Sequence, residues 1–335
     1  MKLSTLQVLL RRMAALAVLC AVLTGGARAE EPIVLRFSHI VSANDPKGIG
    51  AELFRKRVEE RLADKVQVQV FPGGELFTDE QIFEALWFRD VHLAAPSLSK
   101  FRNLTKRLQV FDLPFLFEDV EAVHRFQDSE TGQHLLNAAI DKGIKGLAYW
   151  DNGMRVLSAP QPLRRPEDAA GLKFRIEPSA VIEAQYETLD ALPVRLPFGR
   201  VYDALSSGLV DAQENSWSNS YSQKFHRFTK NFTETDHSFL GYMVIVNVLF
   251  WESLPPDIRT ELEKILAEVS VEVRRIAQEK AQSSRQAVIA DGAQVLELSP
   301  AEREAWINTL KPIWQQFEAD IGKEVIDAAV AAGRK

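Results

Sequence analysis

Cysteine is almost absent from this 335-residue chain, and the one cysteine, Cys20, lies in an apolar run near the N-terminus. Beyond that run, disulfide bonds, thiol catalysis and cysteine-based zinc sites are therefore excluded. The chain also lacks the motifs G-x-G-x-x-G, G-x-x-x-x-G-K-[ST], G-x-S-x-G and H-E-x-x-H, and its six histidines include no i, i+4 pair. The sequence therefore gives no support to an enzyme, and neither a metal nor another cofactor is expected.

Residues 1–29 show the three parts of a secretory signal, namely early cations, an apolar run of about eleven residues and the small-residue end ARA. We predict cleavage after Ala29, because the apolar run is short for an uncleaved membrane anchor. Cleavage removes four cations and no acids, so the net charge moves from −6 to −10. A chain this anionic is not expected to bind nucleic acid, and a site for an anion must concentrate a few cations.

Strand and helix patterns alternate along the remaining 306 residues, which is typical of α/β lobes with mostly parallel sheets. This length exceeds what one core usually fills, so two lobes are expected. No flexible linker separates them, which indicates a hinge built from strands or helices. The predicted strands are IVLRFSHI, VQVQVF, HLAAPSL, KGLAYW, LKFRI, LPVRLP, VDAQEN and QVLEL. Helices are predicted at residues 48–62, 119–141 and 179–189. Two more are predicted to begin at Thr78 and at Ser299-Pro300, and a short one is predicted to end at Gly208.

A long amphipathic helix is predicted over residues 256–291. Its apolar residues recur at three or four positions, namely Ile258, Leu262, Ile265, Val269, Val273 and Ile276. At about 1.5 Å per residue it would be roughly 50 Å long. We interpret it as a spine packed across both lobes; a coiled-coil dimerisation helix is the alternative.

The strand LKFRIE carries the first candidate ligand-binding residue. Its apolar side chains point to one face, whereas Lys173, Arg175 and Glu177 point to the other. A polar second face indicates water, a partner or a ligand, because a strand covered by helices is apolar on both faces. The planar guanidinium of Arg175 suits a carboxylate. The alternative is an edge strand with a solvated arginine.

Further polar residues follow other predicted strands. Arg155 comes just after the turn in YWDNGM, where the chain would cross between lobes, and Asn215 ends VDAQEN. In the first lobe, His39 and Lys47 follow the first strand, and Ser97 and Ser99 follow HLAAP. Each alone would be read as a salt-bridge, capping or loop residue, but ligands of open α/β sheets gather at these strand ends.

The sequence resembles the solute-binding component of tripartite ATP-independent periplasmic (TRAP) transporters, in the DctP family. The resemblance covers essentially the whole mature chain. It is carried by FSHIVSANDPKG, FPGGELFTDE, FDLPFLFED, YWDNGMRVLS, GLKFRI, VYDALSSGLVDAQEN and FLGYMVIVN, in family order.

The resemblance implies an α/β, two-lobed periplasmic binding protein fold with hinge strands and a long helix spanning both lobes. We expect lobe I at residues 30–152 plus about 240–275, and lobe II at 153–239 plus about 276–335. The protein would work as a monomer in the periplasm and deliver its ligand to a separate membrane permease. The residues implied to bind the ligand are Arg175 and Asn215, then Arg155 and Lys47, and with less support Ser97, His39 and His237.

The expected ligand is a small dicarboxylate of the succinate, malate or fumarate type, because three cations suit a dianion. A monocarboxylate, a sugar acid or an aromatic acid is the alternative, and a further role in presenting the acid to a receptor stays open. Met154 and Trp217 depart from the family pattern, and Trp217 is expected to narrow the pocket or to alter its rim.

Overall fold

A computed structural model describes residues 31–333, so the predicted signal peptide lies outside the described residues. This part of the chain forms two β-sheets with helices packed on them. The strands are β1 (Ile33–Ser38), β2 (Val66–Phe71), β3 (Leu93–Ala94), β4 (Ile144–Met154), β5 (Val156–Ala159), β6 (Lys173–Ile176), β7 (Leu192–Arg195), β8 (Ala212–Asn215), β9 (Asn231–Glu234), β10 (Phe239–Asn247) and β11 (Gln294–Glu297).

The helices differ greatly in length. The α-helices are α1 (Pro46–Leu62), α2 (Ile82–Trp87), α3 (Val120–Asp128), α4 (Glu130–Leu135), α5 (Ala180–Thr188), α6 (Val201–Ser206), α7 (Trp217–Ser222), α8 (Val248–Ser253), α9 (Pro256–Ala290), α10 (Pro300–Leu310), α11 (Trp314–Ile321) and α12 (Lys323–Gly333). Short 3₁₀ helices span Leu98–Asn103, Arg107–Asp112, Ile140–Lys142, Pro166–Ala169, Phe198–Arg200, Phe225–Arg227 and Lys311–Ile313. Among residues 31–333, none of these helices has both the length and the hydropathy needed to cross a bilayer.

The two sheets define two lobes. The first sheet has the order β2-β1-β3-β10-β4, and the second has the order β11-β9-β5-β8-β6-β7. Each has its own apolar core, one around Phe111 and Phe126 and the other around Phe174, Tyr186 and Trp306. We call the parts around these sheets the first lobe and the second lobe. The α/β class and the two lobes predicted from the sequence are confirmed.

The sheets are mixed, so the prediction of mostly parallel sheets is wrong. Strands β1 and β3 are parallel, as are β6 and both of its neighbours, but β10 runs antiparallel to β3 and β4. Likewise β5 runs antiparallel to β8 and β9. The antiparallel strands β5 and β10 are those by which the chain enters one lobe from the other, and sequence alternation alone does not reveal their direction.

The hinge lies where the chain passes between the sheets. Arg155 is the single residue between β4, in the first sheet, and β5, in the second. The chain returns at residues 235–238, between β9 and β10, and the two crossings are joined by a 2.8 Å hydrogen bond from Arg155 N to Ser238 O. The crossing predicted at Arg155 is therefore present.

The long helix is also present, as the 35-residue α9. All six residues of its predicted apolar stripe are buried. The helix packs against α1 and β4 of the first lobe and against α7 of the second. Its apolar face is thus used within one chain, as a spine across both lobes, which leaves no need for the coiled-coil alternative.

Several local predictions were close. Helix α1 begins at Pro46, two residues before its predicted start, because proline at the first helical position is favoured. The predicted helix at 119–141 is interrupted at Ser129, whose side chain caps α4 by accepting from Gly132 N. Gln81 does bond back to Thr78 N at 3.1 Å, but α2 begins only at residue 82. Ser299 and Glu302 form the predicted capping box of α10.

The residue ranges of the two sheets bear on the lobe boundaries predicted from the sequence. Strands of the first sheet fall within residues 33–154 and 239–247, and those of the second within 156–234 and 294–297. Helix α12 packs in the core of the first lobe through Val325 and Ala329, although residues 276–335 had been expected in the second. The lobe boundaries as such stay a prediction.

Candidate functional site

A small cavity lies between the lobes, beyond the carboxyl ends of β6 and β8. Its volume is about 10 Å³, room for about one water molecule and far below the range of about 300–1,000 Å³ typical of sites for drug-sized ligands. One third of the lining residues are apolar, and the others carry polar groups. The lining residues are Ile40, Val41, Lys47, Asp79, Ser97, Leu240 and Tyr242 from the first lobe and Arg175, Glu177, Phe198, Asn215 and Asn219 from the second.

Lys47 supplies a cation from the first turn of α1. Its Nζ donates to Ala95 O at 2.8 Å and lies 3.8 Å from the centre of the Tyr242 ring, and the residue is 1% exposed. Burial lowers the pKa of Lys47 to about 8, because the charged form loses its hydration. The ammonium forms no ion pair with any residue of the described chain.

Arg175 supplies a second cation from β6. Its Nε and Nη2 donate to Leu196 O at 3.1 and 2.9 Å, which fixes the plane of the guanidinium. The residue is 1% exposed, and burial lowers its pKa. Within residues 31–333 it has no ion-pair partner either. Since β6 lies between β7 and β8, the alternative of a solvated edge-strand arginine is wrong.

Two asparagines lie beside Arg175. Oδ1 of Asn215, at the end of β8, accepts from Ser216 N at 3.1 Å and from Asn219 Nδ2 at 2.8 Å. These contacts orient the amide so that its NH₂ group remains available as a donor. Asn219 is held in the first turn of α7, whose N-cap is Ser216.

The cavity wall also contains two acids, which differ in their surroundings. Glu177 accepts from Ser97 Oγ at 3.1 Å and from Arg155 Nη2 at 2.8 Å. Burial opposes its ionisation, but Arg155, Lys100 and Arg175 hold the pKa of Glu177 down at about 2. Asp79 lies 3.7 Å from Lys100, its one ion-pair partner among residues 31–333, and burial raises the pKa of Asp79.

Comparison with known proteins identifies the class to which this site belongs. The family model DctP, described as bacterial extracellular solute-binding protein, family 7, matches residues 37–320. The chain belongs to this family. It is therefore a solute-binding transport protein and not an enzyme, as the sequence indicated.

Other members of the DctP family align with this chain over nearly their full length. A C4-dicarboxylate-binding periplasmic protein from Vibrio cholerae is 46% identical over 304 residues, which cover 90% of this chain and 92% of that protein. A crystal structure of a TRAP periplasmic solute-binding protein from Shewanella oneidensis with bound succinate is 47% identical, with a TM-score of 0.89 over 90% of this chain and 100% of that one. Another from Pseudomonas aeruginosa, with bound L-malate, is also 47% identical, with a TM-score of 0.84 over 85% of this chain and 100% of that one.

In this DctP-family protein the structure brings four of the seven predicted binding residues to the cavity, namely Lys47, Ser97, Arg175 and Asn215. Arg155 is not among the lining residues. Its guanidinium is buried in ion pairs with Glu214 at 2.7 Å and Glu177 at 2.8 Å, and Asp112 lies 3.8 Å away. Burial opposes its charge, but these carboxylates raise the pKa of Arg155 above its usual range. The expectation that it meets a ligand carboxylate directly is not met here.

His237 belongs to the same ion-pair network. Its Nε2 contacts Glu214 Oε2 at 3.1 Å and its Nδ1 contacts Thr235 Oγ1 at 2.7 Å, so it holds Glu214 and does not line the cavity. His39 is also outside the lining set, although the next two residues, Ile40 and Val41, belong to it. Burial and Lys47 lower the pKa of His39 to about 3.

The two departures from the family pattern lie away from the cavity. Met154 and Trp217 both line a separate groove of about 490 Å³, on the hinge and beside α9. The Trp217 ring stacks on Phe232 at 4.9 Å. The tryptophan therefore does not narrow the cavity that holds Arg175.

Four polar lining residues were missed as binding candidates, namely Asp79, Glu177, Asn219 and Tyr242. Glu177 could have been found, because it shares the polar face of LKFRIE with Arg175. Asp79 and Tyr242 lie in the motifs FPGGELFTDE and FLGYMVIVN that carry the resemblance. Asn219 follows Asn215 by four positions, which brings the two amides together once α7 forms.

Proposed function

We propose that this solute-binding protein captures a C4-type dicarboxylate, such as succinate, malate or fumarate, in the cavity between its lobes. One observation carries the proposal: Lys47 from the first lobe and Arg175 from the second line one small cavity, and neither has an ion-pair partner in the described chain. Two cations from opposite lobes match an acid with a charge at each end.

The roles of the side chains follow from their donors. Arg175 would hold one carboxylate through the edge of its guanidinium that Leu196 O leaves open, with the Asn215 amide beside it. Lys47 would hold the other carboxylate, and Ser97 would add a hydroxyl. Arg155 and His237 would act indirectly, by fixing Glu177 and Glu214.

Closure of the lobes explains how binding is signalled. Each lobe alone presents one of the two cations, so the open form would bind the diacid weakly. In the closed form the acid is removed from water, and its attraction to Lys47 and Arg175 grows as the local dielectric constant falls. The ligand thus shifts the population toward the closed form, which a membrane permease of the TRAP type can recognise.

The relatives support the size and charge of the ligand. The names of the similar proteins state C4-dicarboxylate binding, and the two structures contain succinate and L-malate. The alternative is another organic acid on the same scaffold. The small cavity, lined by one cation from each lobe, favours a four-carbon diacid over a larger sugar acid or aromatic acid.

Calorimetry and thermal shift with a panel of acids test the proposal. Succinate, L-malate and fumarate should bind and raise the melting temperature, whereas butyrate, a monoanion with the same number of carbons, should bind far more weakly. At a ligand concentration of 100 Kd the stabilisation is about 2.7 kcal/mol. Equal binding of butyrate and succinate would show that the second cation is not used. Binding of galactonate or an aromatic acid alone would support the alternative.

Export and assembly are part of the proposal. The secretory signal at residues 1–29 and the relatives named as periplasmic support a periplasmic location with cleavage after Ala29. A monomer is expected because the apolar face of α9 is packed within the chain. N-terminal sequencing of the exported protein and light scattering of the purified protein test these two points.

A further inference from the structure

We propose that Asp79 takes up a proton when the dicarboxylate binds, and that the neutral carboxyl then donates a hydrogen bond to the ligand. This inference rests on the proposed function and adds a binding residue and a proton to it. It arises from a mismatch between the charge of the expected ligand and the charges already present around the cavity.

The charges around the cavity leave no excess of cations before any ligand enters. Arg155 is shared by three carboxylates, Glu177, Glu214 and, at 3.8 Å, Asp112. Lys100 is likewise shared, by Glu80 at 3.1 Å and Asp79 at 3.7 Å. The acids of these two groups outnumber their cations, and Lys47 and Arg175 offset this excess of negative charge only in part. A dianion therefore adds two negative charges to a site that has no positive charge to spare.

Asp79 is the wall acid that loses least by becoming neutral. Glu177 is held ionised by a 2.8 Å ion pair with Arg155 and a hydroxyl from Ser97. Asp79, by contrast, accepts no hydrogen bond from the described residues, and its nearest cation lies beyond hydrogen-bond distance. The residue is 7% exposed, so water does little to support its charge.

Some charges near Asp79 favour ionisation of its carboxyl group, and others oppose it. Lys47 on α1 and Lys100 on the 3₁₀ helix Leu98–Asn103 favour its charged form, whereas Glu177 and Glu80 disfavour it. Burial is the largest influence and raises the pKa of Asp79. A ligand dianion in the same cavity adds a further like charge, which raises the pKa again. Protonation turns a repelling anion into a donor for the ligand carboxylate.

Titration calorimetry with succinate at pH 7, in buffers of different ionisation enthalpy, measures the number of protons taken up. We expect about one for the wild type, and a Kd that rises up to about tenfold between pH 7 and 8, because the complex holds the extra proton. In Asp79→Asn the uptake should fall to about the tenth of a proton that Lys47, with a pKa of about 8, can still accept at pH 7, and the Kd of the variant at pH 8 should be lower than that of the wild type. Glu75→Gln removes an exposed acid from the same loop and should behave as the wild type does.

The outcomes separate this inference from the proposed function. No binding of any C4 diacid by the wild type contradicts the proposed function itself. Binding without proton uptake, or an uptake near one proton that persists in Asp79→Asn, overturns the inference and places any proton elsewhere, for example at Asp112. Should Asp79→Asn fail to fold, infrared difference spectra of the wild type with labelled aspartate decide, since a protonated carboxyl band must appear when succinate is added.

Discussion

Arg155 and Glu177 form a 2.8 Å ion pair that ties the hinge to the segment just after β6, the strand that carries Arg175. Glu177 also accepts from Ser97 Oγ of the first lobe at 3.1 Å. The acid therefore contacts the hinge, the first lobe and the cavity at once. The two arginines differ in their partners: both terminal nitrogens of Arg155 are bonded to buried carboxylates, whereas Arg175 faces the cavity and forms no ion pair within residues 31–333.

Replacing Arg175 by alanine should abolish tight binding while the protein stays folded. The guanidinium offers the ligand charge-assisted hydrogen bonds worth about 1.5–3 kcal/mol each. Loss of two such bonds raises the Kd for succinate by roughly 10²-fold or more, as calorimetry can measure. Arg195→Ala removes an arginine from the neighbouring strand β7, where it is exposed and paired with Glu183, and should leave the Kd unchanged. An unaltered Kd in Arg175→Ala would disprove the assigned site.

Replacing Lys47 by methionine should change selectivity as well as affinity. Methionine keeps much of the side-chain volume but removes the cation that faces the second carboxylate. The Kd for succinate should rise strongly, whereas the weak Kd for butyrate should change little. The ratio of the two constants is the measurement, with the exposed Lys56→Met on the same helix as the control. If the Kd values for succinate and butyrate rose by the same factor, Lys47 would not be the group that binds the second carboxylate.

Replacing Arg155 by methionine should destabilise the fold rather than remove a ligand contact. It leaves Glu177 and Glu214 buried without their shared cation, and breaking a buried pair in this way costs about 3–5 kcal/mol. Urea unfolding without ligand measures this loss. Adding Glu214→Gln should recover part of the stability, because one uncompensated charge disappears.

The control for Arg155 is Arg164→Met, which removes an exposed arginine paired with Glu302. A surface pair of this kind is worth about 0–1 kcal/mol. An Arg155→Met protein as stable as the Arg164→Met protein would contradict the buried network.

His39 should make the free protein sensitive to acid. Its pKa is lowered to about 3 by burial and Lys47, from about 6.5 in the unfolded chain. Between these two pKa values, His39 binds fewer protons in the folded state than in the unfolded chain. Its contribution to the free energy of unfolding is therefore fully present above pH 6.5 and is lost as the pH falls toward 3. At pH 5 the loss is about 2 kcal/mol relative to neutral pH.

The test for His39 compares urea unfolding of the wild type and of His39→Leu at pH 7 and pH 5. The variant should lose less stability on acidification, by about the amount attributed to His39. Asp45 and Asp112, with a pKa of about 6 each, titrate in the same window in the opposite direction, but they are present in both proteins. An identical loss in the two proteins would contradict a buried, neutral His39.

Much of the site could be predicted from the sequence because its residues lie on or at the ends of strands. Arg175 was found on the polar face of its strand, and Asn215 and Ser97 at strand ends, and the cavity lies where the carboxyl ends of β6 and β8 meet the first lobe. Lys47 was found because it comes soon after β1, at the start of a helix. These inferences depend on local patterns that survive folding.

What could not be predicted depends on contacts between distant residues. Arg155 was expected to meet the ligand, yet Glu177 and Glu214, 22 and 59 positions away, neutralise it first. Asp79 lies in a loop with no periodic pattern, and only the fold brings it near Lys47 and Lys100. The mixed direction of the sheets also depends on which strands cross between lobes.

One residue, Arg155, separates the last residue of β4 from the first of β5. A rotation of one lobe against the other would change the torsion angles of this residue and of the neighbouring return crossing, and it would also shift the packing of α9, which contacts both lobes. Because its side chain is paired with the wall acid Glu177, a rotation also displaces charge beside the bound acid. Under the proposed closure of the lobes, opening would therefore change the electrostatic potential around the ligand through the same residue whose backbone turns.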